Sequence, residues 1–121
     1  MPNPSDKNTL VQDLRDHMDQ FVAERDWHQF HSPKNLAMSL SIEAAELMEH
    51  FQWLTVQQSR DIYATTKLDV GEELADVICY ALSIANSLNI DISSAVFDKM
   101  KKNRTKYPTD KFKGRYGQSE V

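Results

Sequence analysis

The chain has 121 residues, of which 40% are hydrophobic and 26% charged, with a formal net charge of -4. That size and balance suit one folded domain with a modest core, and the acidic sign argues against a general nucleic-acid binder, which carries a basic face. One cysteine, Cys79, excludes an internal disulfide framework and fits a reducing, cytoplasmic setting.

In chain order, MPNPSDKNTL has no apolar signal core. A first helix is expected from Ser5 or Asp6, because Leu10, Val11, Leu14, Met18, Phe21 and Val22 recur at helical spacing. RDWHQFHSP breaks the pattern. Ser32-Pro33 restarts it, with Ser as N-cap and Pro at the first helical position. The second helix is expected to reach about Trp53, with a core stripe of Leu36, Leu40, Ala44, Leu47 and Phe51. LTVQQSRDIYATTK reads as a loop or short helix. A third helix is expected over Lys67 to Leu88, striped by Val70, Leu74, Val77, Ile78, Ala81, Ala85 and Leu88. Asp91 can cap a fourth, carrying Ile92, Ala95, Val96 and Met100 and ending before Pro108. No apolar run approaches the ~18 residues of a membrane span, and no stretch alternates at period two. The expected class is all-α: a bundle of about four helices in a single domain over residues 1–108, completed by dimerisation. Residues 109–121 form a polar tail expected to be flexible.

Two of these helices bring acids to the edge of their apolar stripe. At about 100° per residue, Glu43 falls beside Leu36 and Leu47, and Glu46 lies one step further round with His50 and Trp53. Glu49 points away. On the third helix Glu73 borders Val77, with Asp76 and Tyr80 on the same strip, while Glu72 turns outward. Most carboxylates are surface residues, so one such pair is most simply a solvated boundary. Two pairs at i,i+3 spacing repel one another and resist burial, and basic partners are scarce on both strips. The compensating charge that fits this oxygen-rich set is a divalent cation, Mg²⁺ or Mn²⁺ rather than zinc. A di-iron bundle would use Glu-x-x-His; here the third residue after Glu46 is Glu49 and after Glu73 is Asp76. Cys79 reads as a core residue.

The ordered set Glu43-x-x-Glu46, a gap, then Glu73-x-x-Asp76 resembles the signature of the MazG-like, all-α nucleoside triphosphate pyrophosphohydrolases. The segments ERDWHQFHSPKNL, ELMEHFQW, EELADVICY and KMKKNRTKYP extend the resemblance to the dCTP pyrophosphatase branch, over about Phe21 to Pro108. The resemblance implies hydrolysis of a dNTP, with dCTP the first candidate, to dNMP and pyrophosphate. It also implies Mg²⁺ dependence, with Mn²⁺ as a substitute, and a homodimer or homotetramer. Glu43, Glu46, Glu73 and Asp76 are its metal ligands, and Glu46 or Glu73 orients or deprotonates the attacking water. Trp27, Trp53 and Tyr80 resemble aromatic walls around base and sugar, and Lys99, Asn103 and Lys106 resemble phosphate contacts. His31 lies in the matching segment and is a further candidate substrate contact. Each has a plainer reading, as core packing for the aromatics and a solvated helix face for the cations. Two rivals stand beside this one. The first is a dUTP or phosphoribosyl-nucleotide pyrophosphohydrolase of the same architecture; the second is a non-enzymatic, metal-stabilised helical interaction module. No nucleic-acid or membrane partner is expected.

Overall fold

The structure, a computed structural model, describes residues 2–115. They fall into two compact units divided between Ile90 and Asp91.

In the first unit, helix α1 spans Val11–Glu24, several residues later than the expected start. Residues before it make a tight turn instead. Ser5 N–H donates to Asn8 Oδ1 at 2.8 Å and Asn8 N–H to the Ser5 carbonyl at 3.1 Å. This side-chain-to-backbone bonding competes with the helical ladder. The helix begins where the Asp13 carboxylate can accept from Leu10 N–H, at 2.8 Å. It ends with Asp26 in the left-handed region, φ 52°, which lets Trp27 N–H reach back to the Val22 carbonyl at 3.0 Å. A single 3₁₀ turn, His28–Phe30, follows.

Helix α2, Pro33–Glu49, starts as its sequence signals: Ser32 Oγ accepts from Asn35 N–H at 3.1 Å, with Pro33 in the first turn. It stops at Glu49 rather than Trp53. His50 and Phe51 N–H groups bond to carbonyls three residues back, tightening the last turn. The chain must then extend at Thr55, which caps α3, Val56–Arg60. Thr55 Oγ1 accepts from Gln58 N–H at 3.1 Å while Gln58 Oε1 accepts from Thr55 N–H at 2.9 Å, a reciprocal capping box.

Helix α4, Ala64–Leu88, runs 25 residues without a break and begins three residues before the expected Lys67. Asn89 closes it at φ 53°, so that Ile90 N–H bonds to the Ala85 carbonyl at 2.9 Å. Helices α2 and α4 form the principal packing pair, and α1 lies against α4. The apolar side chains sealed between them are Val22, Leu36, Leu82 and Ala85. A polar clip holds α1 to the far end of α4. Arg15 Nε donates to Asn86 Oδ1 at 2.9 Å, Asn86 Nδ2 returns a bond to the Arg15 carbonyl at 3.1 Å, and an Arg15 terminal nitrogen donates to the Ile90 carbonyl at 2.7 Å.

In the second unit, Asp91 Oδ1 accepts from Ser94 N–H at 2.9 Å and opens α5, Ile92–Lys106. Thr109–Phe112 forms a helical turn, α6, pinned by an edge-to-face contact of Phe112 with Tyr107 at 5.2 Å between centroids. Residues 116–121 of the expected flexible tail lie outside the described residues. Among the described residues every regular element is helical, so the all-α class holds, with four long helices and two short ones. No helix among the described residues is long and apolar enough to cross a membrane.

Leu36 is 2% exposed, so Leu36→Ala should cost about 2–5 kcal/mol of folding stability. Gly71 sits mid-α4 with open space where a Cβ would stand, so Gly71→Ala should add about 0.5–1 kcal/mol. Urea denaturation of both variants checks the pair; a stabilised Leu36→Ala would show that this residue does not anchor the core.

Candidate active site

The four acids singled out by spacing converge between α2 and α4. Glu43, Glu73 and Asp76 each present an oxygen within 4.8 Å of the others. Glu46 is in hydrogen-bonding contact with both Glu43 and Glu73. Glu43, Glu46 and Glu73 are half-buried and Asp76 is exposed, while Glu49 and Glu72 face solvent.

As ionised groups none of these carboxylates can donate a hydrogen bond. A bond between two of them needs a shared proton, and Glu43 Oε2 and Glu73 Oε2 are buried with no hydrogen-bond partner. This crowding raises the proton affinity of two of the carboxyls. Glu43 is pushed up to about 7, first by the hydrogen bond to Glu46, then by burial and the charges of Glu46, Asp76 and Glu73. Glu73 is raised by burial, then by its bond to Glu46 and by the charges of Glu46 and Asp76; His50 opposes the shift. Orphaned, converging carboxylate oxygens fit a hard divalent cation. Opposed ligands around a cation at about 2.1 Å stand about 4.2 Å apart, close to the spread seen here.

Asp76 also lines a cleft of about 310 Å³, together with His17, Met18, Phe21, Trp27, His31, Cys79, Tyr80 and Ser83. Trp27 is delivered there by the left-handed turn at Asp26. It is held edge-to-face on Phe21 at 5.8 Å, with the His31 ring 6.4 Å away. The Arg25 guanidinium lies 3.8 Å over the other ring of this stack, Phe21. On α4, Asp76, Tyr80 and Ser83 follow one another at i, i+4 and i+7, so one helix face carries them all.

Of the candidate substrate contacts, Trp27, His31 and Tyr80 are thus brought together with the acids. Trp53 is not: it stands in the turn after α2, 87% exposed. Lys99, Asn103 and Lys106 belong to α5 in the second unit. There Asn103 Nδ2 lies 3.9 Å from Met100 Sδ, and Lys106 Nζ lies 5.4 Å from the Tyr107 ring centroid.

Sequence reasoning passed over His17, Met18, Cys79 and Ser83 as wall residues. Cys79 and Ser83 continue the strip already defined by Asp76 and Tyr80, which is the signal that could have found them. Cys79 is not a plain core residue; it is half-buried against the cleft, and burial, then Asp76, raises its thiol.

Two helices thus bring a carboxylate cluster to the edge of an aromatic cleft. The sequence profile of the MazG-like family matches residues 38–119. The chain belongs to the MazG-like family. It is 37% identical over 106 residues to dCTP pyrophosphatase 1 of Rattus norvegicus, covering 86% of this chain and 62% of that protein. Against dCTP pyrophosphatase 1 of Homo sapiens it is 39% identical over 100 residues, covering 81% and 59%. The chain thus spans about three-fifths of the length of these curated relatives. A crystal structure of a pyrophosphatase from Archaeoglobus fulgidus superposes with a TM-score of 0.77 at 38% identity, covering 89% of this chain and 98% of that one.

The raised carboxyls set a sign for stability against pH. Between the ordinary value of 4.5 and about 7, the folded metal-free protein holds more protons than the unfolded chain, so stability falls as pH rises through that window. Calorimetric melting in chelator should show this decline. It should be shallower in Glu43→Gln and reversed in part by millimolar Mg²⁺. A wild-type melting temperature that climbs steadily from pH 5 to 7 in chelator would contradict the shared-proton cluster.

Proposed function

We propose that the chain is a cation-dependent nucleoside triphosphate pyrophosphohydrolase acting on a dNTP, with dCTP the first candidate, in a cytoplasmic nucleotide pool. The observation that carries the proposal is the junction at Asp76, where a carboxylate cluster suited to a cation meets a cleft walled by Trp27, His31 and Tyr80. The named relatives, dCTP pyrophosphatases and a pyrophosphatase, support the reaction class.

A divalent cation held by Glu43, Glu46, Glu73 and Asp76, Mg²⁺ in the first instance and Mn²⁺ as a substitute, would neutralise the triphosphate and polarise the α-phosphorus. The remaining work falls to the chain. Water attacks the α-phosphorus in line, the bond from that phosphorus to the bridging oxygen breaks, and pyrophosphate leaves from dNMP. Glu46 touches both buried neighbours, and Glu46 or Glu73 receives the proton or orients the water. Trp27 offers a stacking face to the base, worth roughly 1–3 kcal/mol, and Tyr80 packs where a 2′-hydroxyl would otherwise sit. Lys99, Asn103 and Lys106 enter as phosphate contacts on the sequence resemblance of α5 alone.

A second copy of the chain completes the fold in this reading. Met38, Ile42, Leu68, Leu74 and Ile78 on α2 and α4 are all about half exposed or more, which is costly for apolar side chains in such number. Trp53, exposed in the single chain, becomes a wall residue once a neighbour covers it. The dimer or tetramer should persist at micromolar concentration in light scattering; a stable monomer with full activity would exclude this arrangement.

Pyrophosphate release across dNTPs and NTPs, with and without Mg²⁺, tests the chemistry. Amide variants of Glu43, Glu46, Glu73 and Asp76 should keep the helical circular dichroism and lose most activity, roughly 10²-fold or more, since an amide supplies no charge to a cation. Glu49→Gln and Glu72→Gln should retain it. Tyr80→Ala should mainly narrow the ratio of dCTP to CTP turnover. Equal losses at all six acids would dissociate activity from the cluster.

A further inference from the structure

Beyond the aromatic cleft lies a second, half-open chamber of about 280 Å³, where Asp19, His28, His31, Ser83, Asn86 and Ser87 join the apolar Met18 and Val22. The two spaces share Met18, Val22, His31 and Ser83, so Ser83 stands on the seam. It is the buried polar residue of the first unit, 8% exposed, and its hydroxyl makes no hydrogen bond to another described residue. Two of the polar neighbours are already committed. Asn86 is locked by both ends of its amide to Arg15, and His28 Nε2 is held on Asp19 Oδ1 at 2.9 Å. Ser87, which is exposed, and the His31 ring also make no hydrogen bond to another described residue; Ser83 is set apart from them as the buried hydroxyl, on the seam between the two spaces.

Position supplies the rest. Ser83 follows Asp76 by seven residues on one helix, about 10 Å along the axis. The far edge of a pyrimidine stands away from its own α-phosphate by a distance of that order. A nucleotide anchored at the carboxylates, with its base along Trp27 and Tyr80, would bring its hydrogen-bonding edge to the seam.

We propose that Ser83 is a specificity-determining residue whose hydroxyl pairs with the polar edge of the base, and that the chamber behind it is the base-edge subsite. This rests on the pyrophosphohydrolase reading of the cleft. Stacking on Trp27 accepts any base, because each has a π-face. A hydroxyl on a residue only 8% exposed favours a base that can pair with it, since an unpaired partner is left desolvated once the base covers it. The class selected is nucleotides whose base carries hydrogen-bonding atoms at its outer edge, over apolar isosteres of equal size.

The test compares dCTP with difluorotoluene deoxynucleoside triphosphate, an apolar shape mimic of a pyrimidine nucleotide. Ser83→Ala should lower kcat/KM for dCTP about tenfold, mainly through KM, and leave the mimic within about twofold, in line with loss of one hydrogen bond. Ser83→Thr keeps the hydroxyl and should keep the preference, even where its extra methyl lowers the absolute rate. Calorimetric binding of the two monophosphates to wild type and Ser83→Ala runs in parallel and needs no turnover. Ser83-dependent preference for dCMP without hydrolysis of any dNTP would retain the subsite and remove the pyrophosphohydrolase reading. Hydrolysis with both triphosphates affected equally by Ser83→Ala, or no change in either, would overturn the subsite. Failure to bind either monophosphate and to hydrolyse any dNTP would overturn both.

Discussion

Mutual repulsion among four carboxylates is the constraint around which the first unit is organised. Glu43 and Glu46 come from α2, Glu73 and Asp76 from α4, and these two helices form the main packing pair of the unit. Their apolar stripes draw them together, and the same approach forces the acids into one another. Two buried oxygens remain without partners. The crowding raises their proton affinity, with Glu43 pushed up to about 7. A cation would replace protons there and convert a repulsive seam into a bridge between helices.

The second organising feature is α4 itself. Its 25 residues serve two ends at once. Leu82 and Ala85 close the core, while Asp76, Cys79, Tyr80 and Ser83 line the cleft. The Arg15–Asn86 clip fixes the end of this helix to α1, and α1 supplies Met18 and Phe21 to the opposite wall. Wall and floor are therefore set by the same few contacts that stabilise the unit.

Helix identity and the acid faces were legible in the sequence because both follow from local periodicity. Ser32-Pro33 and Asp91 marked their helix starts correctly, since each cap needs only a side-chain oxygen and a nearby N–H. Ends were harder. The start of α1 was set by competition from Asn8, and the end of α2 by the Thr55–Gln58 box downstream; neither changes the apolar rhythm. The chamber was invisible for a different reason. Asp19, His28 and Asn86 meet only after the chain has turned at Asp26, and nothing in their spacing along the sequence reports that turn. Trp53 could be placed on a strip by arithmetic, yet the helix it was placed on had already ended at Glu49.

The chain contains two tryptophans, and the fold puts them in unlike surroundings. Trp27 is 42% exposed against the ring of Phe21, beside His31 in the cleft, whereas Trp53 is 87% exposed in the turn after α2. The intrinsic fluorescence is accordingly a sum of a ring-contacted, partly covered emitter and a fully water-facing one. Quenching of the first reports what enters the cleft. A blue shift of the second would report anything that comes to rest on the turn, so one spectrum would separate the two events without an added label.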